Sequence, residues 1–118
     1  LRYYSRVRLL GEHVPYPIEA WPEGSQRHLS AESALYCRVV TEGLFGIRPT
    51  GFHKFETTPR LPKEWPSMAL KNVNAFGQSF DLLISREEDG TLRVETRLAD
   101  GDSKARAIQE GETLEIEF

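Results

Sequence analysis

Two segments in the first half of the chain place apolar residues at the spacing of a helix. In the first, residues 1–14, Tyr3, Val7, Leu10 and Val14 recur at intervals of four, three and four positions, which puts them on one helical face. A proline follows directly, and proline cannot continue a helix. The pattern therefore predicts a helix over residues 1–14 that ends at the proline.

The second segment begins at Ser30, whose hydroxyl suits an N-cap position. Few residues from Ala34 to Ile47 are strongly polar, and Gly43 and Gly46 provide stops near the C-terminal end. The predicted helix is apolar over most of its circumference, and such a helix is usually packed on more than one side. We expect either the β region or the helices of a longer chain to cover it.

From Thr50 onward, apolar and polar residues alternate as they do in half-buried strands. Three segments alternate regularly and are predicted to be strands: residues 79–85, 92–97 and 113–118. The Asp89-Gly90 pair predicts a hairpin turn between the first two. Residues 51–58 and 68–75 alternate imperfectly, which predicts strands with bulges or edge positions.

The order of these elements predicts the fold class α+β, with an N-terminal pair of helices followed by an antiparallel β-sandwich. The change of pattern near Pro49 divides the chain into a helical hairpin, residues 1–49, and a β-sandwich domain, residues 50–118. Within the second part, the prolines of residues 60–66 predict an extended connector between strands.

Composition narrows the class of protein. The 118 residues suffice for one domain with a modest core, and 39% hydrophobic with 28% charged residues are typical of soluble globular chains. A net charge of -3 without a basic patch argues against a nucleic-acid partner, and no apolar run is long enough to span a membrane. The chain begins with Leu1, so we expect it to be part of a longer or processed protein.

The candidate metal ligands and nucleophiles are sparse. Cys37 lies inside the apolar helical pattern and is predicted to be a buried thiol; one cysteine does not decide between the cytoplasm and an exported location. His13, His28 and His53 form no HxH or HxxxH pair, so neither a metal site nor a cofactor is predicted. No GxSxG nucleophile elbow is present.

The stretch of residues 15–33, which joins the two predicted helices and includes the start of the second, is the candidate for chemistry. Side chains that suit a sugar ligand concentrate there: the carboxylates of Glu19 and Glu23, the indole of Trp21, and the polar groups of Arg27 and His28. Hydrolysis of a glycosidic bond uses two carboxyl groups, the indole gives a flat apolar face for a sugar ring, and Arg27 or His28 could hydrogen-bond its hydroxyls. The alternative is a proline-rich surface connection whose carboxylates are merely solvated.

The order of the segments resembles the C-terminal end of six-hairpin glycosidases, the (α/α)6-barrel glycoside hydrolases that include trehalases and α-rhamnosidases. The segments are PIEAWPEG in the loop, HLSAESALYCRVVTEGLFGI in the second helix and GFHKFETTPRLPKEWPSMAL at the opening of the sandwich. Glu19-Ala20-Trp21 matches the glutamate, small residue and aromatic residue of the last barrel hairpin, and TPRLPKEW resembles the connector to the C-terminal sheet.

The resemblance implies that the two helices are the remnant of an α/α barrel and that Glu19 is the general base of the parent enzyme. It makes Trp21 the wall of a sugar subsite and Glu23, Arg27 and His28 further substrate-binding residues. The general acid would come from an earlier hairpin, so the fragment by itself is expected to be inactive. The implied partners are an oligo- or polysaccharide and the rest of the barrel, and a polysaccharide-degrading parent would suit the periplasm or export.

Exposed apolar surface on the helices, once separated from their barrel, is expected to let the fragment self-associate. Two other functions remain open. A non-catalytic carbohydrate-binding or structural β-sandwich would expose aromatic residues on a sheet face, whereas Phe80 and Phe118 fall on inward positions. A phosphorylase would need a phosphate site, and the glycines of GLFG, residues 43–46, end a predicted helix rather than begin one.

Overall fold

The computed structural model describes residues 31–118, with side chains from residue 35 onward. The chain divides into two compact units, residues 1–40 and residues 41–118. The predicted helix over residues 1–14 and the candidate loop as far as Ser30 lie outside the described residues. The predicted division into a helical hairpin and a β-sandwich domain therefore stays a prediction.

The second predicted helix is present, and its last part is π-helical rather than α-helical. Helix α1 (Ala31–Arg38) continues into a wider π-helical turn, Val39–Leu44. Gly46 then adopts a φ of 63°, and the Ile47 N–H donates to the carbonyl of Thr41 at 2.9 Å. The predicted glycine stop is confirmed, because the helical turn ends at Leu44 and Gly46 takes the left-handed conformation shortly after it.

The predicted burial of Cys37 is wrong, because its side chain is exposed. Leu35 and Val39 lie on the same stretch of helix with 53% and 52% of their surface exposed. The apolar spacing that predicted a covered helix therefore leaves these two side chains half open to solvent.

Within residues 31–118, seven strands form two antiparallel sheets, and the antiparallel arrangement agrees with the alternating pattern of the sequence. The strands are β1 (Arg48–Gly51), β2 (Lys54–Thr57), β3 (Ser67–Ala75), β4 (Gln78–Arg86), β5 (Leu92–Leu98), β6 (Ser103–Ile108) and β7 (Leu114–Glu117). The smaller sheet has the order β1-β2-β7, and the larger sheet has the order β3-β4-β5-β6. The larger sheet is a meander in which each strand pairs with its neighbour in sequence.

A cluster of phenylalanine rings joins the two sheets. Phe55 of β2 is fully buried, and its ring lies 5.7 Å from that of Phe80 on β4. Phe118 lies 4.8 Å from Phe80 and 6.0 Å from Phe55. The two sheets therefore face each other as in a β-sandwich, with Phe80 and Phe118 on the inward side as predicted.

One of the two strands predicted with imperfect alternation shows the expected irregularity, and the other is divided. In β3 the register shifts between Leu70 and Val73, and Asn72 within this bulge has a φ of 55°. Residues 51–58, predicted as one strand, instead contain a turn that separates β1 from β2. Strand β6 was not predicted, because its alternate positions carry only alanine and serine.

The junction between the helical turn and the sandwich is fastened by several backbone contacts. Phe45 is 2% exposed, and its carbonyl accepts a hydrogen bond of 2.7 Å from the hydroxyl of buried Thr57. The Arg60 N–H donates to the carbonyl of Leu44 at 2.7 Å. Leu61 of the predicted connector is also buried, so the connector packs as part of the core.

Candidate functional site

The sequence-predicted site residues all lie outside the described residues: Glu19, Trp21, Glu23, Arg27 and His28. The structure therefore brings none of them together, and their roles stay predictions. What it describes is the sandwich, whose surface has three features that bear on function.

The first feature is a groove along one open edge of the sandwich. It has a volume of about 410 Å³ and runs between β7 of the smaller sheet and β5 and β6 of the larger one. Strands β6 and β7 each form the edge of their sheet. Val94, Thr96, Leu114 and Ile116 line it from the two facing sheets. The groove exists because a sheet of three strands faces a sheet of four.

Two cations on β6 point to the inner side of the larger sheet. Arg106 is paired directly with buried Val94, and Lys104 is paired with buried Thr96. Directly opposite residues of antiparallel strands share a face, so both cations are on the face that carries the core. Both are nevertheless exposed, and among the described residues neither has an ion pair.

Sequence reasoning missed these cations, since it treated the charges of the β region as a solvated outer face. The available signal was the alternation Lys104-Ala105-Arg106-Ala107 between two glycine turns. Alanine can occupy an edge strand but is a weak signal for one, because its small side chain contributes little to a hydrophobic pattern.

The second feature is a charge cluster on the outer face of β5. Arg97 Nε donates to Glu95 Oε1 at 2.6 Å, and Arg93 Nε lies 3.7 Å from Glu95 Oε2. The hydrogen bond from Arg97 is the main cause that lowers the pKa of Glu95 below its ordinary value, and partial burial opposes it. The same hydrogen bond raises the pKa of Arg97. The cluster is a set of satisfied ion pairs rather than a reactive group.

Acid should remove the stabilisation that this cluster provides. Because the folded state lowers the pKa of Glu95, its contribution is present above the unfolded pKa and is lost as the pH falls through the folded value. We expect Glu95→Gln to lower the free energy of unfolding by about 1 kcal/mol at about pH 7 and by nearly nothing at about pH 2. Urea unfolding of both proteins at the two pH values measures this.

Salt provides the control for that measurement. At about 1 M salt the difference between Glu95→Gln and the unmodified chain at neutral pH should shrink, because exposed charges are screened. A difference that stayed constant across both pH and salt would mean that Glu95 acts through packing, which contradicts the electrostatic interpretation.

The third feature is a pair of exposed aromatic residues. Phe52, in the turn between β1 and β2, is 93% exposed, and Trp65 in the connector is 38% exposed. His53 beside Phe52 holds the turn, since its ring Nδ1 lies 3.2 Å from the carbonyl of Phe76. Neither aromatic residue stands on a sheet face.

No protein-family model, curated protein or solved structure matches this chain. No helix in the described range is long and apolar enough to cross a membrane. Across residues 31–118, no group of three or more histidine, cysteine, aspartate or glutamate side chains is arranged to hold a metal ion.

Proposed function

We propose that this chain is the C-terminal segment of a glycoside hydrolase that acts on an oligo- or polysaccharide. In this proposal Glu19 is the general base, Trp21 is the wall of a sugar subsite, and Glu23, Arg27 and His28 bind substrate. The rest of a catalytic barrel supplies the general acid. The sandwich is a structural support without a catalytic group of its own.

The observation that carries the supporting role is the fastened junction. Phe45, Thr57 and the connector tie the end of the helical turn to the sandwich through buried contacts and short hydrogen bonds. A support must hold the chain that enters it in one direction, because catalytic groups lose rate when they are displaced by about 1 Å. The buried contacts and hydrogen bonds that hold Leu44 and Phe45 on the sandwich support this role.

The charges of the sandwich also favour a supporting role. Its two carboxyl groups with a clear pKa shift, Asp89 and Glu95, both have a lowered pKa. In Asp89 the cause is hydrogen bonding from the hydroxyl and N–H of Thr91. A general acid of a glycosidase needs the opposite shift, a raised pKa that keeps it protonated near neutral pH.

Substitution of Glu19 tests the proposal. In the protein that carries this segment with its barrel, we expect Glu19→Gln to lower kcat for sugar hydrolysis about 100-fold or more, because the amide cannot accept a proton from water. Glu23→Gln is the matched control, with the same change four positions away, and should raise KM more than it lowers kcat. Unchanged turnover after Glu19→Gln would remove Glu19 from the catalytic role.

A carbohydrate-binding module is the second candidate, and exposed Phe52 favours it. An aromatic ring that is almost fully exposed can stack on a sugar ring, and Phe52 is the most exposed large hydrophobic residue of the described chain. If the segment alone bound oligosaccharides and Phe52→Ala abolished that binding, the binding function would replace the supporting one.

A further inference from the structure

The groove is open because the smaller sheet has one strand fewer than the larger sheet that it faces. The larger sheet extends to β6, whereas the smaller sheet stops at β7. Lys104 and Arg106 therefore lie on the inner face of β6 and yet remain exposed. One more strand beside β7 would give two facing sheets of four strands.

No strand of the described residues pairs with the outer edge of β7, so its backbone is available for such a strand. The Phe118 N–H donates to the carbonyl of His53 at 3.0 Å, which continues the pairing of β7 with β2. Hydrogen-bonded pairs alternate along an antiparallel ladder, so Ile116 and Leu114 also direct their backbone groups toward β2. The N–H and C=O groups of Glu115 and Glu117 consequently face the open edge.

The charges around the groove select the occupant. Inward side chains of an added strand would meet Lys104 and Arg106, which have no ion pair within the described residues. Its outward side chains would lie beside Glu115 and Glu117, whose partners on β2, Glu56 and Lys54, place them on the outer face. The complement is a strand with carboxylates on its inward face and neutral or basic residues on its outward face.

A second copy of this chain fits poorly. If β7 paired with itself, Glu115 and Glu117 would oppose glutamates of the copy, because directly opposite residues share a face. If β6 of a copy paired with β7, its inward Lys104 and Arg106 would confront the same two cations. Like charges directly opposite each other destabilise strand pairing, so these two pairings with a copy are disfavoured.

We propose that the free edge of β7 binds an extended peptide segment of a partner protein, with aspartate or glutamate at every second position. Backbone hydrogen bonds to Glu115 and Glu117 supply the pairing, and ion pairs to Lys104 and Arg106 supply the selectivity. This peptide site does not depend on the proposed role of Glu19.

The test uses the 118-residue chain and an acetylated, amidated peptide of about ten residues in which glutamate and threonine alternate. We expect saturable binding by calorimetry, with changes in the NMR signals of the Glu115 and Glu117 amides. A peptide with the same composition but its glutamates in one block should bind about tenfold more weakly, because only alternation places all carboxylates on one face. The same loss is expected when the alternating peptide is N-methylated on the side that faces β7.

Charge reversal gives the matched variant. K104E/R106E should bind the glutamate peptide about tenfold more weakly and gain affinity for a peptide of alternating lysine and threonine. Lys71→Glu reverses an exposed charge outside the groove and should change neither affinity. Circular dichroism establishes that each variant is folded. The N-methylated peptide tests the backbone pairing with the unmodified chain, so that result does not depend on the folding of any variant.

Three outcomes would overturn the proposal. The first is no binding of the alternating peptide, and the second is equal binding of the alternating, blocked and N-methylated peptides, which would mean charge attraction alone. The third is tighter binding of an acidic oligosaccharide such as oligogalacturonate in the same groove, which would assign the two cations to a sugar ligand.

Discussion

Replacing Phe55 with alanine is expected to lower the free energy of unfolding by about 3–5 kcal/mol. The ring is fully buried and stacks on Phe76 at 4.8 Å and on Phe80 at 5.7 Å. Alanine would remove the side chain that joins the smaller sheet to the larger one and would leave a cavity between them. A loss of this size is a large part of the stability of a small domain.

Phe52→Ala is the matched control, because it makes the same chemical change three residues away at a site that is 93% exposed. It should change the free energy of unfolding by no more than about 0.5 kcal/mol. Urea unfolding of the two variants and the unmodified chain, followed by circular dichroism, measures both values. Equal losses in the two variants would contradict the placement of Phe55 at the centre of the core.

Gly46→Ala should lower the free energy of unfolding by about 3 kcal/mol, although it adds a single methyl group. Gly46 has a φ of +63°, and a Cβ built on it would lie 2.2 Å from the carbonyl oxygen of Thr58. That oxygen belongs to the backbone and cannot rotate away. The residues must separate, which also strains the hydrogen bond from the Thr58 N–H to the Gly46 carbonyl at 3.2 Å.

Gly90→Ala separates the two causes of that cost. Gly90 also has a positive φ, +86°, but no heavy atom lies within 4 Å of the position that its Cβ would occupy. Gly90→Ala should lower the free energy of unfolding only by the cost of placing alanine at a positive φ, about 1 kcal/mol. If chemical denaturation gave the two alanine variants the same stability, the close approach at Gly46 would be wrong.

The sequence could predict the strands whose two faces differ sharply. Leu82 and Ile84 of β4 and Leu92 and Val94 of β5 are all buried, as the alternation of these positions indicated, although Leu83 between the first two is also apolar. The position of β6 could not be read in this way. Ile108 is its one buried residue, and its remaining inward positions carry charge rather than apolar groups.

The helix illustrates a different limit, because periodicity defines an apolar face but not the presence of a neighbour to cover it. Leu35 and Val39 are correctly spaced for a buried face and remain half exposed. The candidate loop is harder still, since prolines break the periodicity that would relate one side chain to another. The assignment of Glu19 over Glu23 therefore rests on resemblance, and it stays a prediction.

The pairing of β7 with β2 makes the smaller sheet depend on residues 114–117, which lie far from β2 in the sequence. Each hairpin of the larger sheet can close as soon as its second strand has been synthesised, because its partners are consecutive. Strand β2 can pair with β1 at once, but its other edge stays open until residues 114–117 have been synthesised, and Phe118 then packs near the ring of Phe55. A stop codon or a fusion placed near residue 113 would therefore first disturb the packing of Phe55, although Phe55 lies near the start of the sandwich sequence.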